Sequence, residues 1–183
     1  MIDLPGHVLV LTGPPGAGKT TTARALVPAI AEPVVHLHAD DFWHFIRSGA
    51  IAPYLPAAQR QNEAVVGVLA EAAQGYARAG FFVIVDGIVG PWFLPAFRGL
   101  AVPLHYAVLR PVLDEAIVRC RERGGDTLTD PGPIGELHAQ FAALGALEPH
   151  VIETAGQSRD DTRSAVVKRL GDGSLRLPPL QGA

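Results

Sequence analysis

Gly13-Pro14-Pro15-Gly16-Ala17-Gly18-Lys19-Thr20 is a complete G-x-x-x-x-G-K-[ST] run, preceded by the apolar stretch His7-Val8-Leu9-Val10-Leu11-Thr12 and followed by Thr21 and a segment of helical composition. A strand, a tight glycine loop and a helix in that order make a phosphate cradle. The glycines let backbone N–H groups curl around an anion with no Cβ in the way, and the helix start adds free N–H donors and the positive end of its dipole. Lys19 can reach the β- and γ-phosphates of a nucleoside triphosphate, and the Thr20 hydroxyl can ligate Mg²⁺. Residues 13–21 are therefore the expected nucleotide-binding segment.

Outward from this motif, short β-branched runs alternate with longer helical stretches, the pattern of βαβ units around a parallel sheet. Strands are expected at 7–12, 33–38, 81–86, 102–109 and 150–154, and helices at 18–30, 57–79, 111–123, 133–145 and 158–170. The fold class is α/β: a five-stranded parallel sheet with helices on both faces, in one domain over residues 1–170. Val65, Leu69, Ala72 and Tyr76, at helical spacing, form the expected apolar stripe of the second helix. The tail 171–183, rich in Gly, Pro and Leu, is expected to be loosely ordered.

Composition narrows the function classes. Of 183 residues, 15 are Lys or Arg and 18 are Asp or Glu, a net charge of −3 with no long cationic run. A dominant nucleic-acid surface is not expected. A single cysteine, Cys120, permits no internal disulfide, and the N-terminus lacks the pattern of a secretory signal, so a cytoplasmic setting is expected. No apolar run approaches the ~20 residues of a membrane helix.

Ligands of open α/β sheets bind beyond the carboxyl ends of the strands. The polar residues at those ends are Asp40-Asp41, Asp86, Arg110 and Thr154-Ala155-Gly156. Asp40 is the candidate general base, orienting an acceptor hydroxyl and taking its proton, with Asp41 beside it; either aspartate could instead cap a following helix. Phe81-Phe82-Val83-Ile84-Val85-Asp86 has the form of a Walker B strand, whose carboxylate holds Mg²⁺ alongside Thr20, contacts substrate or caps the next turn. Arg119 and Arg123, four apart on a predicted helix, project from one flank and could clamp transferring phosphates, or could simply be solvated cations at a helix C-terminus. Residues 124–133, punctuated by Gly and Pro, are the expected short lid. His36, His38, His44 and His105 show no metal-ligand spacing and are taken as structural.

The Gly13–Thr20 run, His38-Ala39-Asp40-Asp41-Phe42, Val83-Ile84-Val85-Asp86, Arg119-Cys120-Arg121-Glu122-Arg123-Gly124 and Val151-Ile152-Glu153-Thr154 together resemble the small P-loop kinases related to chloramphenicol phosphotransferase, gluconate kinase and zeta toxin. The resemblance spans nearly the whole chain. It implies a five-stranded kinase core, ATP as phosphate donor with Mg²⁺, Asp40 as catalytic base, Arg119 and Arg123 as lid arginines, and Thr154 and Gly156 near the adenine. The expected activity is phosphoryl transfer to the hydroxyl of a small molecule by a monomer or homodimer. A toxin-like kinase of nucleotide sugars and a nucleotide-dependent ATPase switch are the alternatives.

Overall fold

The computed structural model describes residues 1–124 and 128–179. Five strands, β1 (Val8–Thr12), β2 (Val34–His38), β3 (Phe82–Asp86), β4 (Leu104–Arg110) and β5 (Val151–Glu153), form one sheet in the order β2-β3-β1-β4-β5, all pairs parallel. The crossover after β1 runs past β3 to β2 and the one after β3 runs past β1 to β4, opposite directions from adjacent strands, the arrangement that opens a ligand crevice at the carboxyl edge.

The inner strands β1 and β3 read as continuous apolar runs because both their faces are covered. Val8 and Val10 of β1 join one buried cluster with Val66, Leu69 and Phe97, while Leu9 and Leu11 join the other with Leu26, Val166 and Leu170. The first cluster packs beneath α3 (Gln59–Arg78) and α4 (Leu94–Arg98), the second beneath α1 (Lys19–Leu26) and α7 (Arg159–Gly171). Alternation of side chains along a strand thus feeds two cores from one sequence run.

The structure departs from the sequence expectations at several points. In α3 the buried face is Val65, Val66, Leu69, Ala70, Ala73 and Ala77, and Tyr76 is exposed, its ring edge-on to Phe81. Small alanines let the helix lie close to the sheet, and a tyrosine at that depth would not fit. Two short helices were not anticipated, α2 (Ala39–His44) and α4. Both lie below the length at which periodicity can register. The helix expected at 133–145 is α6 (Pro131–Ala139), started by Asp130, whose side chain accepts from the Gly132 N–H. The expected lid therefore ends in a helix, and its residues 125–127 lie outside the described residues. The segment after α7 is ordered as far as it is described: Tyr106 N–H donates to Leu175 O, Leu177 N–H donates to Leu104 O, and Leu175 is fully buried. Hydrophobic side chains in a Gly- and Pro-rich tail found an open strand flank to cover.

Candidate active site

The loop between β1 and α1 takes the shape its glycines permit. Gly16 and Gly18 have φ of 75° and 83°, in the left-handed region. A Cβ on Gly16 would lie 2.4 Å from the Ala116 carbonyl oxygen, so this loop is pressed directly on α5 (Leu113–Arg123). A Cβ on Gly18 would meet nothing within 4 Å. Lys19 folds back, its Nζ donating to Gly13 O at 3.0 Å and Pro14 O at 2.9 Å. Burial pulls its pKa down to about 8, against the opposing charges of Asp40 and Asp86 and with added repulsion from Arg123.

A cavity of about 540 Å³ lies over this loop. Its wall brings together Gly16, Gly18 and Thr21, Arg119 and Arg123 of α5, and Thr154 with Gln157 after β5. Three stretches far apart in the sequence thus share one space. Arg119 is held by Glu115, whose Oε2 accepts from Nη2 at 2.8 Å, while Glu115 Oε1 accepts the Gly156 N–H at 3.0 Å. Arg123 is exposed. The Thr154 hydroxyl is buried and has no hydrogen-bond partner among the described residues, and the Thr162 hydroxyl donates to Gln157 Oε1. A buried hydroxyl with no partner costs free energy unless something supplies one.

A second group gathers at the carboxyl ends of β2 and β3. Asp86 is fully buried, its Oδ2 accepting from the Thr20 hydroxyl and its Oδ1 bonded to His36 Nε2 at 2.7 Å. Burial alone would raise the carboxyl pKa, but these two hydrogen bonds and the charges of His38 and His36 outweigh it and hold Asp86 below the usual range. His38 stands between the acids: its Nε2 lies 4.0 Å from Asp40 Oδ2 and 3.9 Å from Asp86 Oδ2, and its Nδ1 lies 3.7 Å from Asp41 Oδ1. Asp40 and Asp41 are exposed in the first turn of α2, where the helix dipole favours their charge. The N-cap position belongs to His38, with no side-chain cap bond, so neither aspartate is the N-cap.

Arg110, at the end of β4, is engaged by the scaffold and does not line the cavity. It binds Glu148 and Glu153 at 3.0 and 2.5 Å and donates to the carbonyls of Phe141 and Ala142, a structural tie between β4, β5 and the segment after α6. His36, His38, Glu115 and Gln157 are the site residues that sequence reasoning missed. The alternation His36-Leu37-His38 puts both histidines on one face of β2, and the pairing of His38 with Asp86 in register would have exposed the link had the sheet order been known.

Thr20 and Asp86 are hard oxygen donors facing one another, which suits Mg²⁺. Among the described residues no cluster of three or more His, Cys, Asp or Glu side chains could hold a metal alone.

The family model described as an AAA domain matches residues 8–130. The chain belongs to the AAA domain family. Among solved structures, a sugar kinase from Janibacter sp. HTCC2649 is similar at a TM-score of 0.65 and 21% identity, over 90% of this chain and 93% of that one. The tunicamycin resistance protein of Deinococcus radiodurans is similar at a TM-score of 0.68 and 17% identity, over 94% and 98% of the two chains. A gluconokinase from Sinorhizobium meliloti 1021 gives a TM-score of 0.66 at 15% identity, over 92% and 95%. At these identities the likeness establishes the fold, the five-stranded all-parallel architecture of the small P-loop kinases. No curated protein matches the chain. Among the described residues no helix is long and apolar enough to cross a membrane.

Proposed function

We propose that this AAA domain protein is an ATP-dependent phosphotransferase that moves the γ-phosphoryl group of ATP to a hydroxyl of a small molecule. The observation that carries the reading is the placement of Asp40. It is an exposed carboxylate at the carboxyl edge of the sheet, sharing His38 Nε2 as a neighbour with Asp86 and pulling on the ammonium of Lys19. A carboxylate so near the phosphate loop and open to solvent is placed to receive an acceptor, where an ATPase switch would need only to position water.

Mg²⁺ held by Thr20 and Asp86 would supply a divalent charge against the phosphates of ATP, whose γ-phosphoryl group is the one transferred. The chain's own residues do the rest. Backbone N–H groups of residues 13–20 hold phosphate oxygens, and Lys19 exchanges its two carbonyl partners for them. Thr20 and Asp86 would hold the metal, and Thr154 and Gln157, which line the cavity, would meet the base and sugar. Arg123, with Arg119 once freed from Glu115, offsets charge on the transferring group. Asp40 accepts the acceptor O–H proton as the new O–P bond forms and the bond from the γ-phosphorus to the bridging oxygen breaks, releasing ADP.

Hydroxylated metabolites, nucleotide sugars and antibiotics screened for acceptor-dependent ADP release provide the test. With an acceptor in hand, Asp40→Asn is expected to lower transfer by about 10²–10⁴-fold while Mg·ATP binding persists, and Asp41→Asn to cost far less. Acceptor-independent hydrolysis alone, equally fast in wild type and Asp40→Asn, overturns the phosphotransferase reading.

A further inference from the structure

We infer that His36 is a positioning residue for Asp86, fixing the plane of the carboxylate that faces the Mg²⁺ site; the inference rests on the nucleotide reading above. Asp86 is fully buried at the sheet edge, and among the described residues two side chains reach its oxygens at hydrogen-bond distance: the Thr20 hydroxyl on Oδ2 and His36 Nε2 on Oδ1 at 2.7 Å. His38, at 3.9 Å, is too far to bond. One bond anchors one oxygen and leaves the carboxylate free to turn about its Cβ–Cγ axis. Two bonds to different oxygens define its plane. An ionised carboxylate only accepts, so His36 Nε2 carries the proton of this bond.

The supporting element is itself well held. His36 lies on β2 in register with Ile84 of β3, and its side chain is 21% exposed, so strand pairing and packing together set the direction of the imidazole. On this half-buried edge strand the ring of His36 sits beside Val34, Val35 and Leu37, and its polar partner is Asp86. With His36 shortened, Oδ1 loses its donor inside the protein, and the carboxylate, held by Thr20 alone, is left free to turn out of the plane set by the two bonds. Partners that orient a metal-facing group are worth about 10–100-fold in metal affinity.

Mn²⁺ replaces Mg²⁺ as the probe, its free concentration read by electron paramagnetic resonance with full-length protein in excess over ADP, and metal-free ADP affinity is measured separately by calorimetry in EDTA. His36→Ala is expected to weaken Mn²⁺ binding in the ADP complex by about 10–100-fold while metal-free ADP affinity stays within about threefold. His36→Gln, whose side-chain amide can donate from near the Nε2 position, is expected to stay within about threefold of wild type in both, and the shorter His36→Asn to behave like His36→Ala. Wild-type Mn²⁺ affinity in His36→Ala and His36→Asn, or equal loss in His36→Gln, overturns the assignment. If His36→Ala does not fold, the comparison of Gln with Asn, one methylene apart, decides it. A wild-type protein that binds neither ADP nor Mn·ADP overturns the nucleotide reading itself and this inference with it.

Discussion

Raising the pH should release nucleotide through a single residue. Lys19 has a pKa of about 8 in the free protein because burial disfavours its charge more than Asp40 and Asp86 favour it. A bound triphosphate brings several negative charges to the ammonium and restores its proton, so the protonated protein is the binding form. With a pKa of about 8, roughly three-quarters of the molecules carry the proton at pH 7.5 and about one in thirty at pH 9.5. The terminal phosphate, with its last pKa near 6, does not change charge over that span. ATP affinity should therefore fall about 25-fold between pH 7.5 and 9.5, worth about 2 kcal/mol. At pH 8.5, calorimetry in two buffers of different ionisation heat should record uptake of about three-quarters of a proton per nucleotide. Lys19→Arg keeps its charge throughout and should bind with nearly constant affinity. The ligand-free fold should respond in the opposite sense. An unfolded lysine holds its proton to about pH 10.4, so between pH 8 and 10.4 the unfolded chain binds more protons and this residue's contribution to stability rises with pH. Wild-type affinity flat to pH 9.5, or a parallel fall in Lys19→Arg, would refute the reasoning.

Two further predictions concern the scaffold. Gly16→Ala places a Cβ 2.4 Å from a backbone oxygen at φ 75°, and the clash added to left-handed strain should cost about 2–5 kcal/mol; Gly18→Ala, at φ 83° with nothing within 4 Å, should cost about 1 kcal/mol. Urea titration at pH 7.5 separates them, and equal losses would mean that the loop does not rest on α5 as described. His105 is 2% exposed, its Nε2 2.9 Å from His7 Nδ1, and burial with the charges of His7, Arg176 and His150 lowers its pKa to about 4. Because the unfolded histidine takes its proton near pH 6.5, stability is lost as pH falls from there toward 4, by about 3 kcal/mol at pH 4. His105→Gln should flatten that loss in urea midpoints measured at pH 7 and pH 4, and an unchanged acid slope would assign it elsewhere.

The parts of the site legible in the sequence are those whose chemistry is local. Gly13 to Thr20 require one another within a single turn, so their spacing in the chain is their spacing in space. Phe82 to Asp86 is similar, since an apolar run ending in a carboxylate already says that the strand is buried and the acid sits at its end. Arg119 and Arg123 share a helix flank because four residues make about one turn, and both do line the cavity. Arg110 is legible as a strand-end cation, yet nothing in its neighbours foretells its pairing with Glu148.

By itself, then, the chain determined the phosphate loop, the alternation of strands and helices, and the set of polar groups at the strand ends, because each follows from side-chain periodicity or backbone freedom over a few residues. The tertiary structure alone decided that β3 lies between β2 and β1, which brings His36 to Asp86 and His38 between two acids. It alone decided that Glu115 links Arg119 to Gly156, and that Tyr76 gives way to alanines on the face of α3. Those outcomes depend on which strands become neighbours and how closely a helix can approach them, quantities set by packing across long sequence separations, which no short window of residues contains.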